Sequence, residues 1–198
     1  MANIKGTALL PAVKLVRRFR NKLDPDVMNE EGKALAAQRI LPGSWYPIEA
    51  ASQIMIAVSK VVGGGSLEQG MELMAAYLAE TDLHGVYRNL ITVGDVAKSL
   101  RRSAILWPNY FDEGTLTIVQ PDPKIRRAVA RLEGFHQTIP YCKAIPGMAR
   151  VVARIAGKGL TCEVKEVKCT LWGNPNCEFH YLWAAPVALA DPPASAPR

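Results

Sequence analysis

Ala12, Val16, Phe19 and Leu23 recur at intervals of three and four, which predicts a helix over residues 11–23 with one apolar stripe against the body of the protein. The stretch "LDPD" interrupts it, and a weaker pattern predicts a short helix to about Arg39. "LPGSWYP" reads as a loop with Ser44 as a candidate cap, and residues 47–62 are apolar enough for a largely buried helix. Three consecutive glycines end that helix, because glycine takes the left-handed backbone conformation that stops helices. Ser66 and Gln69 form a capping box, and Leu67, Met71, Met74 and Leu78 make a stripe that predicts a long helix toward Leu90. Asp95 is placed to cap another helix through "VAKSLRRSAILW", with Pro108 as its stop.

Beyond Pro108 the period changes. "GTLTIVQ" alternates and is rich in β-branched residues, and Ala128, Ala130 and Leu132 alternate with Arg127, Arg131 and Glu133, so both stretches read as strands. A helix over about 139–157, kinked at Pro146, leads to a final pair of strands at 161–172 and 176–184. The expected fold is therefore α+β: a helical N-terminal half packed on a small antiparallel sheet that ends in a C-terminal hairpin. The order suggests a helical segment over 1–44, one main domain over 45–184 and a disordered Pro/Ala-rich tail over 185–198.

Composition narrows the class. With 198 residues and 49% apolar content the chain can build one core of ordinary size. No run of eighteen apolar residues is present, and the basic cluster at Arg17, Arg18, Arg20 and Lys22 follows the first apolar stretch, the reverse of a secretory signal. A cytoplasmic protein without a membrane span is expected. The net charge of +6 is spread along the chain, and Lys143, Arg150, Arg154 and Lys158 fall opposite Ile145, Met148, Val152 and Ile155, as on the solvated face of a helix. With no nucleic-acid reader motif present, direct nucleic-acid binding is not expected.

In a reducing compartment four cysteines argue for packing, metal binding or catalysis before disulfides. In "EVKCTLWGNPNCEFHYLW", a turn centred on Gly173 would set Cys169 opposite Cys177, close enough to share an ion. Cys177, Phe179, Tyr181 and Trp183 share the buried side of the last strand. Glu166 would point away from the thiols unless a bulge turned the chain, and the hydrophobic phase does shift between Val164 and Val167. A closed metal site needs further ligands. Cys142 is the best third candidate, while spacing leaves Cys162, His136 and His180 open.

The series Cys142, then Glu166-x-x-Cys169, then Cys177 followed by Glu-Phe, resembles the zinc signature of vinyl-reductase-like (4-vinyl reductase) ligand-binding domains, which include sensory domains of aromatic-responsive transcription activators. "LPGSWYP", "VYRNLITVGD" and "CEFHYLW" are similar to segments of a paralogous family abundant in myxobacteria. The first resemblance covers about 45–184 and the second nearly the whole chain. The resemblance implies a structural zinc ion held by Cys142, Glu166, Cys169 and Cys177, a homodimer, and a signal passed to a separate partner protein. It also implies a non-catalytic small-molecule-binding or sensory domain, with an interaction scaffold of the same fold as the alternative.

His84, Tyr87, Trp107, Tyr110 and Phe111 form the densest polar-aromatic set outside the hairpin and are the candidate contacts for a small hydrophobic or aromatic molecule. The resembled fold is distantly related to heme-based gas sensors, which draws attention to His84, but a lone helical histidine more often serves the core or the surface. "GGGS" lacks the lysine of a P-loop, "PGSWY" lacks the last glycine of a nucleophile elbow, and the pair His136 and Cys142 has no orienting third group. An enzyme is not expected.

Overall fold

The computed structural model describes residues 2–23, 26–122 and 124–185, and of Gln120 the backbone alone. The expected tail therefore lies outside the described residues, apart from its first position. The chain opens with a short strand, β1 (Asn3–Lys5), and helix α1 (Gly6–Arg18), which begins five residues before the expected start at 11 and ends five before the expected end at 23. Its first donors are satisfied by a distant loop: Gly6 N–H bonds the Ser44 carbonyl and Thr7 N–H that of Pro42. α2 follows at Glu30–Ala37, capped by Asn29.

The stretch expected as a loop around Ser44 contains β2 (Trp45–Pro47), which pairs antiparallel with β1. Ser44 caps no helix, because α3 (Ile48–Val62) starts directly after Pro47. Ser66 does cap α4 (Leu67–His84), its hydroxyl accepting from Gln69 N at 3.2 Å. α4 stops at His84 rather than reaching Leu90, and Arg88–Leu90 form a separate 3-10 turn. α5 (Val96–Ser103) is capped by Asp95, which accepts from Lys98 N at 2.8 Å.

Pro108 does not stop the helical path. A 3-10 turn over Ala104–Leu106 leads into α6 (Trp107–Tyr110), where Pro108 sits in the first turn and its missing N–H costs nothing. Pro146 is similarly placed in the first turn of α7 (Ala144–Ala156), so the expected kink is absent. A 3-10 turn, Tyr141–Lys143, precedes it.

The sheet has the order β3 (Thr115–Asp122), β4 (Arg127–Glu133), β6 (Asn176–Ala184), β5 (Thr161–Lys168), all neighbours antiparallel. Ala128, Ala130 and Leu132 of β4 and Phe179, Tyr181 and Trp183 of β6 are buried. This gives one continuous core that includes α1, α3, α4, α5 and α7 as well as the sheet. The helices approach closely where side chains are small. A Cβ on Gly147 of α7 would lie 2.2 Å from the Glu72 carbonyl of α4, and one on Gly70 would lie 2.1 Å from the Ser59 carbonyl of α3. Arg150 and Arg154, expected on a solvated face, pair across this crossing with Glu72 and Glu80 of α4. Among the described residues no single helix is long and apolar enough to cross a membrane.

Candidate functional site

Where α1, α3, α4, α6 and α7 meet, they border a partly open cavity of about 70 Å³. Four methionines line it: Met55 from α3, Met71 and Met74 from α4, and Met148 from α7. Trp107, Tyr110, Phe111 and Tyr141 supply an aromatic wall. The rings are interlocked, with Trp107 and Phe111 centroids 4.5 Å apart and Phe111 and Tyr141 5.5 Å apart in an edge-on arrangement. β1 and α1 close one side through Ile4, Ala8 and Pro11, so residues before position 45 contribute directly to the cavity.

The polar atoms of this wall already have partners. Trp107 Nε1 donates to the Glu113 carbonyl at 3.1 Å, and the Tyr141 hydroxyl shares a 3.1 Å hydrogen bond with Ser52 Oγ. Tyr110 donates its hydroxyl to Asp82 Oδ2. Burial pushes the Tyr110 and Tyr141 hydroxyls well above the ordinary phenol range and raises Asp82 above the ordinary carboxylate value, although the Tyr110 hydrogen bond pulls Asp82 back. The wall thus remains neutral and apolar in character at neutral pH, apart from Asp82 at its edge.

Of the expected ligand contacts, Trp107, Tyr110 and Phe111 line the cavity. His84 and Tyr87 do not. His84 is 60% exposed and bonded to Glu80 at 2.8 Å, and Tyr87 packs against the core from outside it. The four methionines and Tyr141 were not singled out by sequence reasoning as ligand contacts. Met71 and Met74 showed only as a helix stripe, and nothing local distinguishes a methionine facing a void from one facing a side chain.

The second candidate group lies beside the N-terminus of α7, next to the cavity wall, since Cys142 directly follows Tyr141. Cys142, Glu166, Cys169 and Cys177 bring one ligand-type atom each within 4.8 Å of one another. Cys142 Sγ and Cys177 Sγ are each 3.8 Å from Cys169 Sγ, and Cys142 Sγ is 3.5 Å from Glu166 Oε1. A bulge makes this possible. Glu166 pairs with Phe179, which puts it on the face of Cys177, and the register then slips by one at Val167, so Lys168 lies opposite Glu178 and Cys169 comes round to the same face as Glu166. Past the slip the pairing leads toward Cys169 opposite Cys177, and Gly173 closes the turn with φ of 82°.

Gln137 stitches the group together. Its Oε1 accepts from Cys142 N at 3.0 Å, while Nε2 donates to Thr170 Oγ1 at 3.0 Å and to Cys177 Sγ at 3.5 Å. Hydrogen bonds from Cys142 and Thr170 pull the Cys177 thiol down to about 6, whereas burial lifts Cys169 to about 11. Lys143 Nζ lies 2.5 Å from Glu166 Oε2, so an ammonium group already compensates that carboxylate. Cys162, His136 and His180 stand apart from the set: Cys162 faces the Glu163 carbonyl, His136 binds Glu113 at 2.6 Å and His180 leans on Glu178 at 3.3 Å. His136 and Cys142 form no thiol-base pair.

No family model matches the chain, and no curated protein matches it. Its fold, an antiparallel sheet with helices packed against it, is shared by solved structures of H-NOX domains. An H-NOX protein from S. oneidensis in the Fe(II)NO ligation state superposes with a TM-score of 0.63 at 12% identity, covering 91% of this chain and 99% of that one. A mutant H-NOX from T. tengcongensis gives 0.64 at 13% identity, covering 93% and 100%. A structure described as probing heme distortion in the H-NOX family gives 0.63 at 11% identity, covering 96% and 100%. At these identities the likeness establishes the fold alone.

The resemblance to vinyl-reductase-like domains, taken over about 45–184 and specific mainly at its end, is not upheld: the solved structures that share this fold are H-NOX domains, over nine-tenths of the chain. The structural zinc ion implied by that resemblance falls with it: the neighbouring structures are described by iron and heme, not zinc. Three packed thiols and a carboxylate already balanced by Lys143 need no ion to lie together.

Proposed function

We propose that this chain is a non-catalytic small-molecule-binding sensor domain whose ligand is apolar and sits in the methionine- and aromatic-lined cavity. The observation that carries this reading is the cavity itself: its lining includes no lysine, arginine, histidine or carboxylate. Water in such a space finds few partners, so an apolar molecule is its favoured occupant. Methionine side chains are flexible and polarisable, which lets the same wall fit ligands of slightly different outline. The open space supports this reading over that of a scaffold without a ligand. The ligand-binding unit takes in residues 1–44 as well as 45–184, and its signal passes to a separate partner.

The fold of the H-NOX neighbours raises the question of heme. Heme iron is held by an axial histidine, cysteine, methionine beside histidine, or tyrosine. His84, His136 and His180 each lie outside the cavity. Its lining holds no cysteine, Tyr110 is committed to Asp82 and Tyr141 to Ser52, and no cation faces the space to meet a propionate. The residues present do not fit heme.

Native mass spectrometry of protein purified without denaturation tests the reading. A mass excess that disappears on unfolding and belongs to an apolar molecule is expected, with no stoichiometric absorbance change on adding hemin. Tight one-to-one hemin binding, or a bare polypeptide that also fails to take up any apolar probe, would overturn it.

A further inference from the structure

The two edges of the sheet are protected unequally. β5 carries Glu163, Lys165, Glu166 and Lys168 and is broken by the bulge at Val167, the kinds of device that keep an edge from pairing with another chain. On β3, Pro121 and the register break between Val119 and Asp122 protect the C-terminal half. The N-terminal half, Thr115–Ile118, has neither charge, proline nor bulge. Among the described residues, none of its backbone groups has a backbone partner beyond its ladder with β4.

This bare half forms one wall of an open groove of about 390 Å³. The opposite wall is the end of α5, the turn after it and the start of α6, with Arg101, Ile105 and Pro108. Ile105 is 59% exposed, a large apolar side chain standing over unpaired backbone. No acidic residue lines the groove, and neither Arg101 nor Lys98, one turn before it on α5, has a carboxylate partner among the described residues.

We infer that Thr115–Ile118 is a docking edge for an extended acidic segment of a partner protein, which adds as a strand to β3. About four residues would pair with it. An apolar side chain of the segment would cover Ile105 and a carboxylate would meet Arg101. Charge selects this occupant over a second copy of the chain, since two such edges brought together would set Arg101 against Arg101. The inference is independent of what the cavity binds.

The test uses the whole chain and two soluble probes: an eight-residue peptide alternating glutamate with valine or threonine, and its counterpart with lysine for glutamate. The glutamate peptide is expected to bind and to slow amide hydrogen exchange at residues 115–118. Arg101→Glu should weaken it by about tenfold and favour the lysine peptide, and Ile105→Asp should weaken both. Both positions are exposed, and thermal melts would verify that the variants fold. The inference fails if no peptide protects β3, if protection falls on β5, or if Arg101→Glu binds both peptides as the parent does. It fails equally if β3 becomes protected by raising the protein concentration alone, the sign of pairing between copies.

Discussion

The Tyr110 hydroxyl donates to Asp82 Oδ2, joining α6 to the last turns of α4 at the edge of the apolar cavity. Both groups are pushed upward by burial. Tyr110→Phe would leave the carboxylate without its donor and should lower stability by about 1–3 kcal/mol. Asp82→Asn keeps an acceptor and should cost less. The sign for Asp82 follows from its raised folded value: the protonated form is favoured on folding, so its contribution is present below the unfolded value and is lost as pH rises through the folded one. Denaturant melts between about pH 3 and 7 should show this loss in the parent and not in Asp82→Asn.

Ala144 lines the same cavity, so Ala144→Leu places extra carbon into open space. The variant should lose any molecule retained by the parent while its stability changes by less than about 1.5 kcal/mol. Full retention of the molecule by the folded variant would place the ligand elsewhere. Native mass spectrometry and a thermal melt on the same sample give both readouts.

Gln137 holds the thiol group to the preceding loop by hydrogen bonds to Cys142, Thr170 and Cys177. Gln137→Ala strips a buried N–H and two acceptors of their partner together, which should cost about 1–3 kcal/mol. Hydrogen exchange should quicken first around residues 137–143 and 169–177. An unchanged urea midpoint would mean the thiols hold this corner by packing alone.

On the outer side of the sheet Glu178 Oε2 receives Arg131 at 2.9 and 3.2 Å and lies 3.4 Å from Lys168 Nζ. The Arg131 hydrogen bond, with help from His180 and Lys168, holds Glu178 below the ordinary glutamate value. Its contribution is therefore present above the unfolded value and is lost as pH falls through the lower folded one. Glu178→Gln should melt earlier than the parent at neutral pH and lose less on acidification below about pH 4.5.

Gly147→Ala tests the crossing of α4 and α7. The added carbon would meet the Glu72 carbonyl at 2.2 Å, so the helices must part, at a cost of about 1–3 kcal/mol. Because both helices line the cavity, retained ligand should fall with stability.

Much of the architecture was legible from the chain alone. Capping by Ser66 and Asp95, the glycine stop after α3 and the alternation in β3, β4 and β6 are short-range effects, decided within a few residues. Element ends were less legible where a remote partner decided them. α1 begins at Gly6 because Ser44 and Pro42 supply carbonyls, and β2 exists because β1 pairs with it. Pro108 and Pro146 carry the local signal of a break and a kink, yet each falls in the first turn of a helix, where proline is tolerated.

By itself, the sequence determined the class of fold, the buried face of the last strand and the grouping of Trp107, Tyr110 and Phe111, since periodicity and proximity along one helical path suffice for these. Only the tertiary structure decided the cavity and the thiol corner. Met55, Met74 and Met148 come from three helices, and Glu166 and Cys169 share a face with Cys177 only because the register slips by one residue at Val167, between them. Such sites depend on how separate elements pack, and packing is settled by the sum of contacts from the whole chain rather than by the spacing of any one segment.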